Sequence, residues 1–360
     1  MSKLRCPLCG RSFMWSDAAV VAGRSKAVVD DPRGGGPLSV GGWRELVEGD
    51  REHMSDVLEA HGLLAALCPG GDQLPLDFGD SNPIYVGVVG SVAASKSTYL
   101  AGVHRVATTD GLGPLARGSS PRSLLDDDVL ARASEQVYQR REVLPTTQSR
   151  GMRMLDLRLS TGETIRLTFV DIAGEALTDS TRAVQERYLD SLDAVLVIVD
   201  PLQLPGVRRI RRESSVEDVT TRVLRNVVGN LEARGRAMAQ IDIPASVVVG
   251  KADEIVGYAE HRVADWLMLP ECPDDFLLDV RAQESESAAV WAFLNEALDS
   301  LEFLDLVERF SNRSLHFATA TDCAAEQGKY LRSPRPRRLA PPILRLLAAN
   351  ARLPQRLVNK

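Results

Sequence analysis

Ile84-Tyr85-Val86-Gly87-Val88-Val89 runs directly into Gly90-Ser91-Val92-Ala93-Ala94-Ser95-Lys96-Ser97. The first six residues form an almost unbroken apolar run, the mark of a strand buried on both faces. The next eight follow the pattern G-x-x-x-x-G-K-[ST] except that Ser95 replaces the second glycine. In such a loop the strand ends, the chain turns tightly and a helix begins. Backbone N–H groups and the positive helix end then face an anion. Lys96 is placed to reach the outer phosphates of a nucleotide, and the Ser97 hydroxyl to ligate Mg²⁺. Thr98 belongs to the same phosphate-binding set, and Thr98-Tyr99-Leu100-Ala101-Gly102-Val103 continues as helix. Position 95 usually needs glycine because the backbone there approaches the phosphates or takes a positive φ. Serine is tolerated at a cost of roughly 1 kcal/mol if φ is positive.

Three further pieces follow in the order a nucleotide site requires. Thr164-Ile165-Arg166-Leu167-Thr168-Phe169-Val170 alternates and then turns apolar, as a strand entering a core does, and leads into Asp171-Ile172-Ala173-Gly174-Glu175. Asp171 at the strand end is placed to hold Mg²⁺ through water, and the backbone N–H of Gly174 to meet the γ-phosphate. Ala194 to Asp200 reads as the next strand. Ala245-Ser246-Val247-Val248-Val249 follows, with Gly250-Lys251-Ala252-Asp253 after it. The Asp253 carboxylate suits the N1–H and N2–H donors of guanine, and the Lys251 stem can lie over the base. Leu315 to Ala318 is a fifth strand, with Thr319-Ala320-Thr321 beyond it. Thr319 and Ala320 complete the nucleotide-binding set.

In this order, over about residues 83 to 325, the motifs resemble those of GTPases of the translation-factor and Ras class. A finer resemblance is to bacterial double-GTPase-type proteins of conflict and defence gene clusters. It is carried by Cys6-Pro7-Leu8-Cys9-Gly10, Tyr99-Leu100, Leu144-Pro145-Thr146-Thr147-Gln148 and Asp171 to Glu175. The resemblance implies a doubly wound, mostly parallel α/β sheet with helices on both faces. It implies GTP or GDP with Mg²⁺ as ligands, held by Ser97, Thr147 and Asp171. It also implies slow or partner-stimulated GTP hydrolysis, with Thr147 (or Thr146) closing over the metal and Glu175 beside the attacking water.

Three positions depart from the pattern. Ser95 is not glycine. Gly250 stands where asparagine or threonine is usual, and so lacks a side chain that would brace the phosphate loop against the base loop. Glu175 stands where many relatives carry a water-positioning glutamine. These departures keep two alternatives open: a nucleotide-binding scaffold that does not hydrolyse, and an interaction protein with a degenerate site.

Five cysteines in 360 residues, and no apolar run between Met1 and Phe13, point to a reduced, cytoplasmic setting. Cys6-Pro7-Leu8-Cys9-Gly10 reads as half of a zinc knuckle. Cys68-Pro69-Gly70-Gly71-Asp72 begins like the other half, with Asp72, His53 or His61 as the fourth ligand, or as a decayed ribbon that binds nothing. Between the halves, Arg24 to Gly42 has the composition of a flexible loop, and Trp43 to Leu67 reads as an amphipathic helix.

The segment Gln327 to Lys360 holds nine Lys/Arg and no acid, in a chain of 43 basic and 49 acidic residues. Its apolar stretch from Ile343 to Ala349 is too short to span a bilayer. It is expected to pack on the body, with docking on an acidic surface as the alternative. The basic run Val207 to Arg212 reads as a solvated loop. The expected organisation is a zinc-ribbon-like element at 1–80, a P-loop domain at 81–326 and the basic segment at 327–360. A protein activator or effector is the expected partner.

Overall fold

The computed structural model describes residues 3–23, 25–80, 83–91, 94–109, 116–119, 129–145, 151–159, 164–171, 189, 191–211, 219–233, 240–257, 262–271 and 280–350. The chain opens with the hairpin β1 (Lys3–Arg5) and β2 (Ser12–Met14). Next come β3 (Ala19–Ala22), α1 (Val40–Gly49), α2 (Arg51–His61), β4 (Leu64–Leu67) and β5 (Gln73–Leu74). Strands β3, β4 and β5 pair antiparallel. The helix expected over Trp43–Leu67 is thus two helices and a strand. Asp50 ends α1 and caps α2, its carboxylate accepting the His53 N–H at 3.3 Å. Gly62, at φ 68°, then stops α2. Leu46 and Val57 of the expected stripe are buried, whereas Val47 and Leu58 are exposed. The stretch Arg24–Gly42 is likewise tied down: Val29 and Leu38 are fully buried and pair with Val20, and Asp31 N–H bonds to Gly36 O across a glycine turn.

The larger part of the chain supplies β6 (Ile84–Val89), α3 (Lys96–Thr109), β7 (Ala116–Ser119), α4 (Val129–Tyr138), β8 (Gly151–Leu159), β9 (Thr164–Asp171) and β10 (Ala194–Val199). It continues with α5 (Pro205–Ile210), α6 (Val219–Leu231), β11 (Ala245–Val249), α7 (Val263–Met268), α8 (Val280–Ala297), α9 (Glu302–Glu308) and β12 (Arg313–Phe317). A short hairpin, β13 (Ala325–Glu326) and β14 (Lys329–Tyr330), precedes α10 (Ala340–Ala349).

Among the described residues, seven strands form one sheet in the order β12-β11-β10-β6-β9-β8-β7. The first five run parallel, and β8 and β7 are antiparallel at one edge. The alternation in β10 shows why this sheet is covered on both sides. Ala194, Leu196 and Ile198 enter one apolar core with residues of α3 and α10. Val195, Val197 and Val199 enter another with residues of α6, α8 and α9. Burying each such side chain contributes about 1.5–3 kcal/mol. The second core also holds Cys6, Phe13 and Trp15, so the N-terminal element is packed into it.

Strand β8 falls in a stretch where no strand was expected. Leu155 and Leu157 are buried, and Asp156 faces Arg166 of β9 across the ladder in a bidentate ion pair at 2.8 Å. Arg166 also reaches Asp77 at 2.9 Å, tying the sheet to the N-terminal element.

Helix α10 packs on β11, β12 and α3. Glu271 caps it, accepting the N–H groups of Leu339 at 2.8 Å and Ala340 at 3.0 Å. Gly102 of α3 makes room for this segment, since a Cβ there would lie 2.3 Å from Leu339 Cδ1. Arginines of the basic segment meet acids of the chain itself: Arg337 bonds to Asp322 at 2.9 Å and Arg338 to Glu286 at 2.8 Å. The run expected to be a loop at 207–212 is helical through Ile210. Arg209 pairs with Asp299 there, and Arg211 lies 3.9 Å from Glu254. No helix among the described residues is long and apolar enough to cross a membrane.

Candidate nucleotide site

Strand β6 lies between β9 and β10, the point at which the strand order reverses, and in such sheets ligands bind outside the carboxyl ends there. The loop from Gly90 to Ser95 sits at that point. Gly90 must lack a side chain, because a Cβ would stand 2.5 Å from the Ile198 carbonyl oxygen. Ser95 adopts φ 59°, the left-handed conformation for which glycine is the usual choice, at a cost of about 1–2 kcal/mol. Lys96 opens α3 and is buried. Its ammonium donates to the carbonyls of Gly90 at 3.1 Å and Ser91 at 3.2 Å, which sets the charge inside the loop. Ser97 and Thr98 occupy the first turn of α3. Asp171 is the last residue of β9, and its backbone is in register with Val88, two residues before the loop.

The base side is assembled from the ends of β10, β11 and β12. Lys251 takes φ 47° and extends its ammonium to the Asp200 carboxylate at 2.7 Å. Asp200 also accepts the Leu202 N–H at 3.0 Å and the Gln203 side-chain amide at 3.4 Å. Gln203 in turn accepts the hydroxyl of the fully buried Ser91 at 2.8 Å. A continuous polar chain therefore runs from the phosphate loop to the base loop. Neither Asp200 nor Gln203 was singled out from sequence; no motif marks them.

Asp253 is half-buried, and its Oδ1 has no partner among the described residues. Burial pushes its carboxyl above the ordinary 3.8, and a hydrogen bond from the Thr319 hydroxyl opposes that rise. Thr319 Oγ1 accepts the N–H groups of Thr321 at 3.3 Å and Asp322 at 3.0 Å. A buried carboxylate oxygen left without a donor is suited to a ligand with adjacent N–H donors.

Ala94, Ser95, Thr98, Lys251, Asp253 and Ala320 share one cleft of about 260 Å³. A larger cavity of about 630 Å³ lies beside α1 and α2, lined by residues such as Trp43, Val47, Leu58 and Leu63. It brings together none of the phosphate- or base-binding residues, so the chemistry, not the size, locates the site. Val92, Ala93, Thr146, Thr147, Gly174 and Glu175 lie outside the described residues.

A second cluster forms in the N-terminal element. One ligand atom from each of Cys6, Cys9, Cys68 and Asp72 lies within 4.8 Å of the others. The Cys9 and Cys68 sulfurs are 3.6 Å apart, and Asp72 Oδ2 is 3.4 Å from the sulfurs of both Cys6 and Cys68. Sulfurs on a tetrahedral zinc with bonds of about 2.3 Å are separated by roughly 3.8 Å, so this donor set fits such an ion. A hydrogen bond from Cys6 pulls the Cys68 thiol down to about 6, while the proton is held on Cys6. The N–H groups of Gly70 and Asp72 point at Cys68 Sγ, both at 3.3 Å. Gly70 cannot carry a side chain, since a Cβ would lie 2.4 Å from Cys9 Sγ. Neither His53 nor His61 belongs to the cluster.

The strand order, the lysine-bearing loop at the switch point and the carboxylate at the base end define a P-loop GTPase-like fold and site. A family model described as Double-GTPase 2 matches residues 84–269, just over half of the chain, and the chain belongs to that family. It is accordingly a GTP-binding protein. Among solved structures, the crystal structure of bacterial selenocysteine-specific elongation factor EF-Sec is similar at 13% identity and a TM-score of 0.30. That match covers 66% of this chain and 26% of the elongation factor, and a likeness of that size carries no argument. No curated protein is significantly similar.

Proposed function

We propose that this chain is a guanine-nucleotide switch that hydrolyses GTP slowly, or faster when a protein partner completes the site. The observation that carries the reading is the Asp253 carboxylate, which lines the same cleft as Ser95 and Thr98 and whose buried Oδ1 has no partner among the described residues. Lys96 neutralises the outer phosphates, the first turn of α3 directs its N–H groups at them, and Asp253 selects the base edge. Ser97, Asp171 and Thr147 would hold Mg²⁺, which when bound offsets charge developing between the β- and γ-phosphates. By the resemblance Glu175 would act beside the γ-phosphate, where a partner's arginine would supply what a glutamate does not. The setting we infer, a bacterial conflict or signalling system, rests on the resemblance to double-GTPase proteins.

Two substitutions test the site. Lys96→Ala is expected to abolish GTP and GDP binding in calorimetry; unchanged affinity sinks the reading. Asp253→Asn replaces an acceptor by a donor and is expected to weaken GDP and strengthen binding of the xanthine analogue, whose C2 carries a carbonyl. Single-turnover phosphate release with GTP then separates a hydrolysing switch from a scaffold.

We also propose that Cys6, Cys9, Cys68 and Asp72 hold one structural zinc ion. The sulfur and oxygen separations support it.

A further inference from the structure

The cleft is closed on its nucleoside side by residues far beyond the segment 84–269. Cys323, Ala324, Ala325 and Tyr330 line it together with Lys251 and Asp253. We propose that the β13–β14 hairpin is a nucleoside clasp, and that Tyr330 is a specificity-determining residue whose ring packs on the face of the bound base. This rests on the guanine-nucleotide reading of the site and adds to it the surface that covers the base.

Four observations converge. First, Tyr330 of the hairpin and Thr98 in the first turn of α3 line the same cleft, so the hairpin and the phosphate-loop helix share it.

Second, the ring is held in place before any ligand arrives. Tyr330 N–H donates to Arg141 O at 2.8 Å, Val143 N–H to Gly328 O at 2.9 Å and Leu331 N–H to Ala324 O at 3.1 Å. Arg337 fastens the hairpin's base through Asp322 at 2.9 Å. A wall ordered in advance loses little entropy on binding.

Third, the neighbouring wall residues Ala320, Ala324 and Ala325 are small, which leaves width for a planar ring system. Fourth, Lys251 lines the same cleft with its backbone fixed at φ 47° and its ammonium held by Asp200, which confines its methylene stem there. A planar base between an aromatic ring and an aliphatic stem, with its donor edge on Asp253, fills the arrangement.

The test compares GDP with inorganic tripolyphosphate on the full chain. Tyr330→Ala is expected to weaken GDP binding about tenfold, toward the low end of what one aromatic contact on a base contributes. Tripolyphosphate affinity is expected to stay within about twofold, and Tyr330→Phe within about threefold of wild type for GDP, since the ring carries the contact. The melting temperature of the ligand-free alanine variant is expected within about 2 °C of wild type. If it falls further, Tyr330→Leu preserves an apolar cover without aromaticity and is expected to show the same selective loss. Equal loss of GDP and tripolyphosphate would assign Tyr330 to the phosphate loop through Thr98 and overturn the proposal. Undiminished GDP binding by the alanine variant overturns it alone, leaving the guanine reading intact. A wild-type protein that binds tripolyphosphate but not GDP overturns both.

Discussion

The Ser91 hydroxyl donates to Gln203 Oε1 at 2.8 Å, and this contact joins the loop before α3 to the chain that follows β10. Through Asp200 the link continues to Lys251. Gly250 provides no side chain for such a brace, and Gln203 takes over the task from another strand end. Gln203→Ala is expected to lower GDP affinity by roughly three- to tenfold, the range for one hydrogen bond whose loss strands a buried hydroxyl. A Cβ at Gly250 would sit 3.5 Å from Ile198 Cγ2 and 3.6 Å from Val199 O, both ordinary contacts. Gly250→Asn is therefore expected to fold normally and to recover part of the lost affinity in the Gln203→Ala background. Calorimetry on the two single variants and the double variant checks this, and simple additivity of the two effects would refute a shared brace.

Ser95 is strained, and its substitutions should separate by backbone tolerance. Ser95→Gly removes the left-handed cost of about 1–2 kcal/mol, while the glycine adds about 0.5–1 kcal/mol of unfolded-state entropy. Stability is expected to rise by no more than about 1.5 kcal/mol. Ser95→Val places a β-branched side chain at φ 59° and is expected to cost more than about 1 kcal/mol. Urea unfolding of the ligand-free proteins distinguishes the two.

Glu286 is fully buried between His316 at 3.2 Å and Arg338 at 2.8 Å. Burial alone would raise its carboxyl, but the two basic neighbours outweigh it and hold the group below the ordinary 4.5. A depressed folded pKa contributes stability that is present above the unfolded value and lost as pH falls through the folded one. At pH 7, Glu286→Gln is expected to cost about 3–5 kcal/mol, because it leaves the buried Arg338 guanidinium uncompensated. The gap to wild type should narrow below pH 4.5. Unfolding curves at neutral and acidic pH measure it, and a gap that does not change with pH would refute the assignment.

Purified protein is expected to carry one zinc per chain by elemental analysis. A chelator should lower the melting temperature, with a loss above about 2 kcal/mol for an ion present at a large excess over its dissociation constant. Cys9→Ser should abolish the zinc content, whereas Cys323→Ser, remote from the cluster, should not.

Much of the sheet is legible in the sequence because its central strands are buried on both faces. Ile84–Val89, Ala194–Val199 and, but for Ser246, Ala245–Val249 are apolar for that reason. Strand β8 is harder to read. Its buried Leu155 and Leu157 alternate with charges, one of which, Asp156, is itself buried by its pairing with Arg166. The break in the expected N-terminal helix depends on one capping carboxylate at Asp50 and one left-handed glycine at Gly62. In the candidate site, spacing alone singles out Gly90, Lys96, Lys251 and Asp253, because the chemistry proposed for phosphate and base fixes their order. Gln203 and Tyr330 carry no such spacing. Gln203 meets Ser91 across 112 residues, and only the folded sheet brings them together. Thr147, Gly174 and Glu175 lie outside the described residues and rest on the resemblance.

The wall of the nucleotide cleft has a consequence for biosynthesis. The phosphate loop leaves the ribosome near residue 96, but the cleft also needs Ala320 and the hairpin through Tyr330. At roughly 5–20 residues per second, tens of seconds separate these parts. During that interval the emerging chain holds a phosphate loop with no enclosed place for a nucleoside, and its apolar strands wait for partners still being made. Capture of the nucleotide is thereby deferred until residue 330 has been made, and the first molecule bound reports a hairpin that has already folded back onto the phosphate-loop helix.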